Sequence, residues 1–168
     1  NHYNGSVGLN YYATEWLKID GTFGIDYSGQ TSEDFWPFQW NIDGFSGSRP
    51  TGQLSVGTRD FVAKTAEVKI VMDNKIGSLT SNLIVGGQYV GQQEKVLGSQ
   101  GTEFPGPGFE VVGAAAQQVN FEQFTETINV GAFVQEQIGY NDYLFLTLGA
   151  RFDAHSAFGS NFNGQFYP

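Results

Sequence analysis

The stretch YNDYLFLTLGARFD, residues 140–153, alternates apolar and polar side chains along most of its length. Leu144, Leu146 and Leu148 occupy every second position, while Thr147 and Arg151 fall in the intervening positions. Successive side chains of a β-strand point to opposite faces, so this period of two predicts a strand with one apolar and one polar face. The pattern does not by itself identify what covers the apolar face.

The same alternation recurs along the 168 residues, in a chain that has 23 glycines and 15% aromatic residues, a composition typical of all-β proteins. Three pairs of strands are joined by short links, which is typical of hairpins, whereas longer connections cover residues 29–53 and 92–121. We therefore predict an all-β, antiparallel up-and-down meander of about six long strands, with short turns at one end and long loops at the other. The predicted strands lie at about residues 6–13, 16–28, 54–72, 76–91, 122–138 and 142–154.

Strand length and aromatic placement favour hydrocarbon as the cover of the apolar faces. Several predicted strands exceed the roughly 5–6 residues typical of globular proteins and reach the roughly 9–11 residues that cross a bilayer. Tyr11, Trp16 and Tyr140 lie near short turns, and Tyr27 and Tyr89 lie before the long loops, as in the aromatic girdles of membrane barrels. The meander is thus predicted to be part of a larger transmembrane β-barrel.

The predicted membrane-facing residues are the apolar members of the alternating rows. They are Leu17, Ile19, Phe23, Ile25, Leu83, Val85, Ile128, Val130, Leu144, Leu146 and Leu148. The charged residues of the same strands, such as Asp20, Lys69 and Arg151, are expected on the opposite face. A lipid-facing Arg near the bilayer midplane costs about 2–4 kcal/mol, which requires this separation.

Composition also excludes several classes of function. The net charge of −9 leaves too few cationic side chains to neutralise a phosphate backbone, so no nucleic-acid partner is expected. The chain has no Cys, its two histidines lie far apart, and no hydrolase or phosphate-binding motif occurs. We therefore predict no catalytic residues, no cofactor, no metal site and no enzymatic activity.

A sheet of six strands has two open edges, and single-chain bacterial barrels have at least eight strands. Residues 1–168 are therefore expected to be a partial β-barrel domain, whose remaining strands lie elsewhere in the same gene product.

The stretch 128–168 resembles the barrel of TonB-dependent outer-membrane transporters of the SusC/RagA type. The similar elements are QEQIGY at residues 135–140, a short turn, LFLT at 144–147 followed by Gly149, Arg151 and Asp153, then SAFG at 156–159 and a closing Tyr167–Pro168. The resemblance implies a 22-stranded barrel with an N-terminal plug, outer-membrane lipid around it, and contact with TonB through the plug, which is absent from these residues. It also implies a possible surface lipoprotein partner of the SusD type.

The loop sequence EDFWPFQWNIDGF, residues 33–45, contains candidate ligand-binding residues. Trp36, Phe38 and Trp40 could stack on sugar rings at the mouth of a transporter, because aromatic planes suit the C–H faces of carbohydrates. The alternative is that these side chains pack the loop onto the barrel rim. The acidic side chains of this loop could hold a cation or simply be solvated; they are Glu33, Asp34 and Asp43.

The sequence as a whole predicts a section of a TonB-dependent active transporter in the bacterial cell outer membrane that imports a large nutrient. Glycans, peptides and metal chelates all stay open as ligands. Two alternatives also stay open, namely a soluble or surface β-sandwich that binds a partner, and a passive porin.

Overall fold

The structure, a computed structural model, describes residues 1–38, 51–141, 143–156 and 164–168. These residues form seven β-strands and a single 3-10 turn at Val112–Ala114. The strands are β1 (His2–Tyr12), β2 (Leu17–Trp36), β3 (Gln53–Ile76), β4 (Leu79–Thr102), β5 (Gln117–Tyr140), β6 (Leu144–His155) and β7 (Gln165–Tyr167). They form a sheet in which each strand pairs with its neighbours in sequence, so the predicted all-β meander is confirmed. Among the described residues, no helix is long and apolar enough to cross a membrane.

The short turns have the backbone geometry that tight connections require. Gly77, between β3 and β4, has a φ of 61°, a left-handed conformation that glycine adopts without steric cost. Asn141, after β5, has a φ of 52°, and asparagine is among the few other residues that tolerate this region. Its backbone N–H also donates to the carbonyl of Ser78 at 2.9 Å.

The strands are longer than the alternation predicts, and the assignment of residues 29–36, 92–102 and 117–121 to loops was wrong. β2 extends to Trp36, β4 extends to Thr102 and β5 begins at Gln117. In these extensions polar residues occur on both faces, so the contrast between apolar and polar positions that reveals a strand is weak. β7, with three residues, was not predicted.

The chain divides into two compact units. Unit 1 comprises Asn1–His2, Ser28–Phe61 and Glu94–Thr125, and its described residues include the segment 103–116 between β4 and β5. Unit 2 comprises Tyr3–Tyr27, Val62–Gln93 and Glu126–Pro168, and it contains the three short turns.

Among the described apolar side chains, three are buried, and all three belong to unit 1. They are Leu54, Phe104 and Ala115, with Phe38, Val56 and Val112 packed against them. The Phe104 N–H donates to the carbonyl of Thr51 at 3.0 Å, and the Ala116 N–H donates to the carbonyl of Glu103 at 3.1 Å. This small cluster fixes the segment 103–116 against the end of β3.

Phe104 is expected to determine the stability of this segment. Phe104→Ala removes a ring that is 3% exposed, and such a truncation costs about 3–5 kcal/mol in a packed core. Hydrogen exchange of the full-length protein should then show roughly a hundredfold faster exchange or more at the Phe104 and Ala116 amides.

The matched control is Phe109→Ala, because Phe109 lies in the same segment and is 63% exposed. Its amide exchange pattern should stay close to that of the unsubstituted protein. Equal acceleration in both variants would contradict the importance of the cluster.

Candidate functional site

The register of β5 and β6 separates an apolar face from a polar face in unit 2. Val134 lies opposite Ala150, and Ile138 lies opposite Leu146. Each intervening pair contains at least one polar or small residue, as in Gln137 opposite Thr147, although Phe133 lies opposite Arg151 and Phe145 lies opposite Gly139. Residues directly opposite each other share a face of the sheet, so the apolar rows of the two strands coincide. We call these the apolar face and the polar face.

Side-chain contacts extend the two faces to the neighbouring strands of unit 2. Arg151 Nη2 donates to Gln88 Oε1 at 3.1 Å, which places Gln88 of β4 on the polar face. Asn82, on the same face of β4, donates through Nδ2 to Asp73 Oδ1 of β3 at 2.5 Å. A Cβ at Gly24 of β2 would meet Thr65 Oγ1 at 2.6 Å, so these positions also share the polar face.

The eleven residues predicted to face the membrane all occupy the apolar face of unit 2. Those on β6 are the most open, since Leu144, Leu146 and Leu148 are 56–61% exposed. Leu17, Ile19, Leu83 and Ile128 are half-buried by their neighbours. The described part of unit 2 contains no second layer of sheet or helix over this face. Contact of these side chains with lipid stays a prediction.

The length of the apolar rows matches the thickness of a bilayer. On β2 the row extends from Leu17 to Tyr27, and on β6 it extends from Leu144 to Ala154. Each row spans about 11 residues of its strand, and none of the alternate side chains that form the row is charged. A tilted strand needs roughly 9–11 residues to cross the hydrocarbon core. Aromatic residues lie near the ends of these rows. Examples are Tyr140 and Tyr143, whose rings pack edge to face with their centroids 6.0 Å apart.

Three charged residues interrupt the apolar face among the described residues of unit 2. Glu126 of β5 lies at the start of its row, and its Oε1 accepts a hydrogen bond from Gln93 Nε2 at 2.6 Å. Lys64 of β3 lies near the end of its row, beyond Ala66. Glu136 of β5 lies opposite Leu148, and its Oε1 accepts a hydrogen bond from Ser81 Oγ at 2.7 Å. This hydrogen bond satisfies part of the carboxyl group's need for donors at a position whose neighbours are apolar.

The polar face of unit 2 carries ion pairs between residues two positions apart on one strand. Lys18 Nζ lies 2.8 Å from Asp20 Oδ2, and Lys69 Nζ lies 2.7 Å from Glu67 Oε1. Arg151 Nε lies 2.7 Å from Asp153 Oδ2. Residues at this spacing share a face, so each charge has a partner on the side opposite the apolar row.

A cleft of about 400 Å³ opens in unit 1, and sequence reasoning did not predict it. Its walls combine hydroxyl, amide and carboxylate groups with an aromatic ring. They include Ser32, Asp34, Ser55, Gln100, Val119 and Phe121, together with Gly57 and Gly98. These residues come from four strands that are distant in sequence, so no local motif marks them.

The structure describes two of the three candidate ligand-binding aromatics and places them in different surroundings. Trp36 lies at the end of β2, and its Nε1 donates to Asp34 Oδ2 at 3.2 Å, beside the cleft. Phe38 packs against the buried cluster of unit 1, and its backbone N–H donates to Glu110 Oε1 at 2.7 Å. Trp40 and the acidic residue Asp43 lie outside the described residues.

Within the described ranges, no group of three or more His, Cys, Asp or Glu side chains is placed to hold a metal ion.

A sheet whose uncovered apolar face lies opposite a face of ion pairs defines a class of protein, the transmembrane β-barrel. The family model described as TonB dependent receptor-like, beta-barrel matches residues 1–168. The chain therefore belongs to the TonB dependent receptor-like β-barrel family.

Solved structures agree with this assignment at the level of the fold. The structure of the RagAB peptide transporter matches with a TM-score of 0.87 and 14% sequence identity, over 98% of this chain and 18% of that chain. The RagAB peptide importer in the 'open-open' state matches with a TM-score of 0.86 and 15% identity over the same shares. The chain thus spans about 18% of the length of these structures. No curated protein matches the chain.

Arginine substitutions at adjacent positions of β5 should distinguish the two faces. Val134→Arg places a cation on the apolar face, and a lipid-facing Arg costs about 2–4 kcal/mol near the bilayer midplane. Gln135→Arg places the same side chain on the polar face and should change stability by less than about 1 kcal/mol.

The measurement is urea unfolding of the full-length protein refolded into lipid vesicles. Equal losses for the two variants, or a larger loss for Gln135→Arg, would contradict the assignment of the faces.

Proposed function

We propose that this chain forms part of the barrel of a TonB-dependent transporter that imports a large nutrient across the bacterial outer membrane. The observation that carries the proposal is the uncovered apolar face of unit 2 opposite a polar face with three ion pairs. Such a sheet suits hydrocarbon on one side and water or protein on the other. Membership of the receptor family supports the same conclusion.

The imported ligand belongs to the classes of glycans, peptides or metal chelates. The similarity to the RagAB peptide importer supports a peptide, although at 14–15% identity the comparison reaches the fold alone. We further propose three partners, namely outer-membrane lipid around the apolar face, TonB acting through a plug, and a lipoprotein of the SusD type.

A soluble β-sandwich fits the observations less well. In a sandwich the apolar face of each sheet packs against another sheet, and its side chains are buried. In unit 2 the corresponding leucines are more than half exposed, as at Leu144 and Leu148. A passive porin shares the two faces with a transporter, so energy dependence must distinguish those two functions.

Ligand uptake by cells tests the transporter directly. Cells that lack the gene should lose growth on one class of nutrient, supplied as an oligosaccharide, an oligopeptide or a ferric chelate in parallel cultures. Cells that lack TonB but retain the gene should show the same loss. Growth that requires the gene but not TonB would instead support a passive porin.

We also propose that Trp36 contacts the imported ligand, because it lies beside the cleft of unit 1. Trp36→Ala should raise the half-saturation concentration of uptake by roughly 2–10-fold, which corresponds to the loss of an aromatic contact worth about 0.5–1.5 kcal/mol. The amount of folded protein in the outer membrane should stay unchanged.

Phe35→Ala is the matched control, since Phe35 is the preceding residue, is 44% exposed and occupies the opposite face of β2. Unchanged uptake in Trp36→Ala would remove Trp36 from the ligand path.

A further inference from the structure

Two glycines create the cleft of unit 1. A Cβ at Gly57 would lie 2.9 Å from Ser32 Oγ, and a Cβ at Gly98 would collide with the ring of Phe121. The absence of side chains at these positions lets Phe121 lie across β4 and leaves space between the rows. The depression is therefore built into β3 and β4, which are regular strands on both sides of these glycines.

The hydrogen bonds within the cleft leave groups that can bind a ligand. Ser55 Oγ accepts from Gln53 Nε2 at 3.3 Å and from Gln100 Nε2 at 3.1 Å. A hydroxyl that accepts two hydrogen bonds retains its own proton for donation, and the side-chain carbonyl of Gln100 retains its lone pairs. The cleft thus offers a donor and an acceptor close to the ring of Phe121.

The carboxylate of Asp34 differs from those of Glu94 and Glu122 in unit 1. Within the described part of this unit, Glu94 pairs with Arg59, and Glu122 pairs with Lys95 at 2.9 Å. Asp34 instead accepts a hydrogen bond from the uncharged indole of Trp36. This hydrogen bond orients the carboxylate without neutralising its charge, so its negative charge is available to a ligand.

The charge of unit 1 also favours a cationic ligand. Its described residues include two basic side chains, Arg59 and Lys95, against seven acidic ones. The acidic residues are Glu33, Asp34, Asp60, Glu94, Glu103, Glu110 and Glu122. Of these, Glu33 and Asp34 line the cleft. An excess of one sign of charge in and around a cleft raises the local concentration of ligands with the opposite sign. Anionic chelates and acidic peptides are disfavoured by the same field.

We propose that this cleft binds an alkylammonium or alkylguanidinium group, as carried by the lysine or arginine side chain of a basic peptide. The cation pairs with Asp34 and lies near the face of Phe121, whose negative electrostatic potential attracts it. The apolar stem of the ligand's side chain contacts Val119 and Phe121. The neighbouring amide group of the peptide forms hydrogen bonds with Ser55 and Gln100. This inference rests on the proposed function, since it assigns a charge preference to the imported ligand.

Calorimetric titration of the purified full-length transporter tests the proposal with two synthetic hexapeptides. Both peptides have the same sequence of leucine and lysine residues, and both have an acetylated N-terminus. In the second peptide every lysine side chain is also acetylated. The lysine peptide should bind about tenfold more tightly at low salt, and added NaCl should reduce this difference because it screens exposed charges.

Asp34→Asn should weaken binding of the lysine peptide about tenfold and leave the acetylated peptide within about twofold. Asp60→Asn is the matched control, because it removes an identical charge from the opposite face of β3, and it should preserve the preference. Each of three results would overturn the proposal. They are a preference for the lysine peptide that survives Asp34→Asn, equal binding of the two peptides, and no binding of the lysine peptide. So would Asp34-dependent binding of a neutral probe such as maltohexaose.

These failures differ from a failure of the transporter itself. If the cleft has no cation preference, TonB-dependent uptake of the natural nutrient by cells continues normally. If the chain does not serve transport, that uptake is absent whatever the titrations show.

Discussion

The backbone of a protein in hydrocarbon must satisfy its own hydrogen bonds, because an unpaired N–H or C=O costs several kcal/mol there. The described strands pair in sequence order from β1 to β7, so β2 to β5 have a paired neighbour on both sides, while the outer edges of the described sheet need further strands. The pairing also places alternate side chains on opposite faces, so one row can be apolar while the other carries Lys18, Asp20 and Arg151. The thickness of the hydrocarbon core then determines the length of the apolar rows, and the cost of a charge that faces lipid keeps the ion pairs on the other face.

The location of the buried residues also supports a sheet whose apolar face is covered by hydrocarbon. A soluble protein of this size stabilises its fold by removing apolar side chains from water. Here the buried cluster is small and belongs to unit 1, where it fixes a connecting segment around Phe104. In unit 2 the apolar side chains that would form a core are exposed or only half-buried, so their further burial must come from outside the described chain. We expect the hydrocarbon of the outer membrane to provide it.

The sequence was sufficient to predict the fold where the two faces of a strand have different surroundings. The row of Leu144, Leu146 and Leu148 predicted β6 almost to its ends, because its apolar and polar positions differ sharply. The same reasoning failed for residues 92–102 of β4, where Gln92, Glu94 and Lys95 give no apolar row to detect. An extended strand with water on both faces leaves little trace in a period-two pattern.

The candidate site was predicted less well than the fold, for a related reason. Trp36 and Phe38 were singled out because they are aromatic and close in sequence, but only the structure separates a residue beside the cleft from one in the buried cluster. Gly57, Gly98 and Phe121 were missed because their relation depends on which positions lie opposite each other across strands. A cross-strand register cannot be derived from one sequence without knowledge of each strand's ends.

Nitroxide scanning of β6 tests most directly whether lipid covers the apolar face. Single labels at successive positions from 144 to 152, in the full-length protein in lipid vesicles, would be compared for collision with oxygen, which concentrates in hydrocarbon, and with a water-soluble nickel complex. We predict a period of two, with oxygen favoured at Leu144, Leu146, Leu148, Ala150 and Phe152 and lower oxygen access at the positions between them. Equal access along the strand, or nickel access greatest at the leucines, would contradict a lipid-covered face.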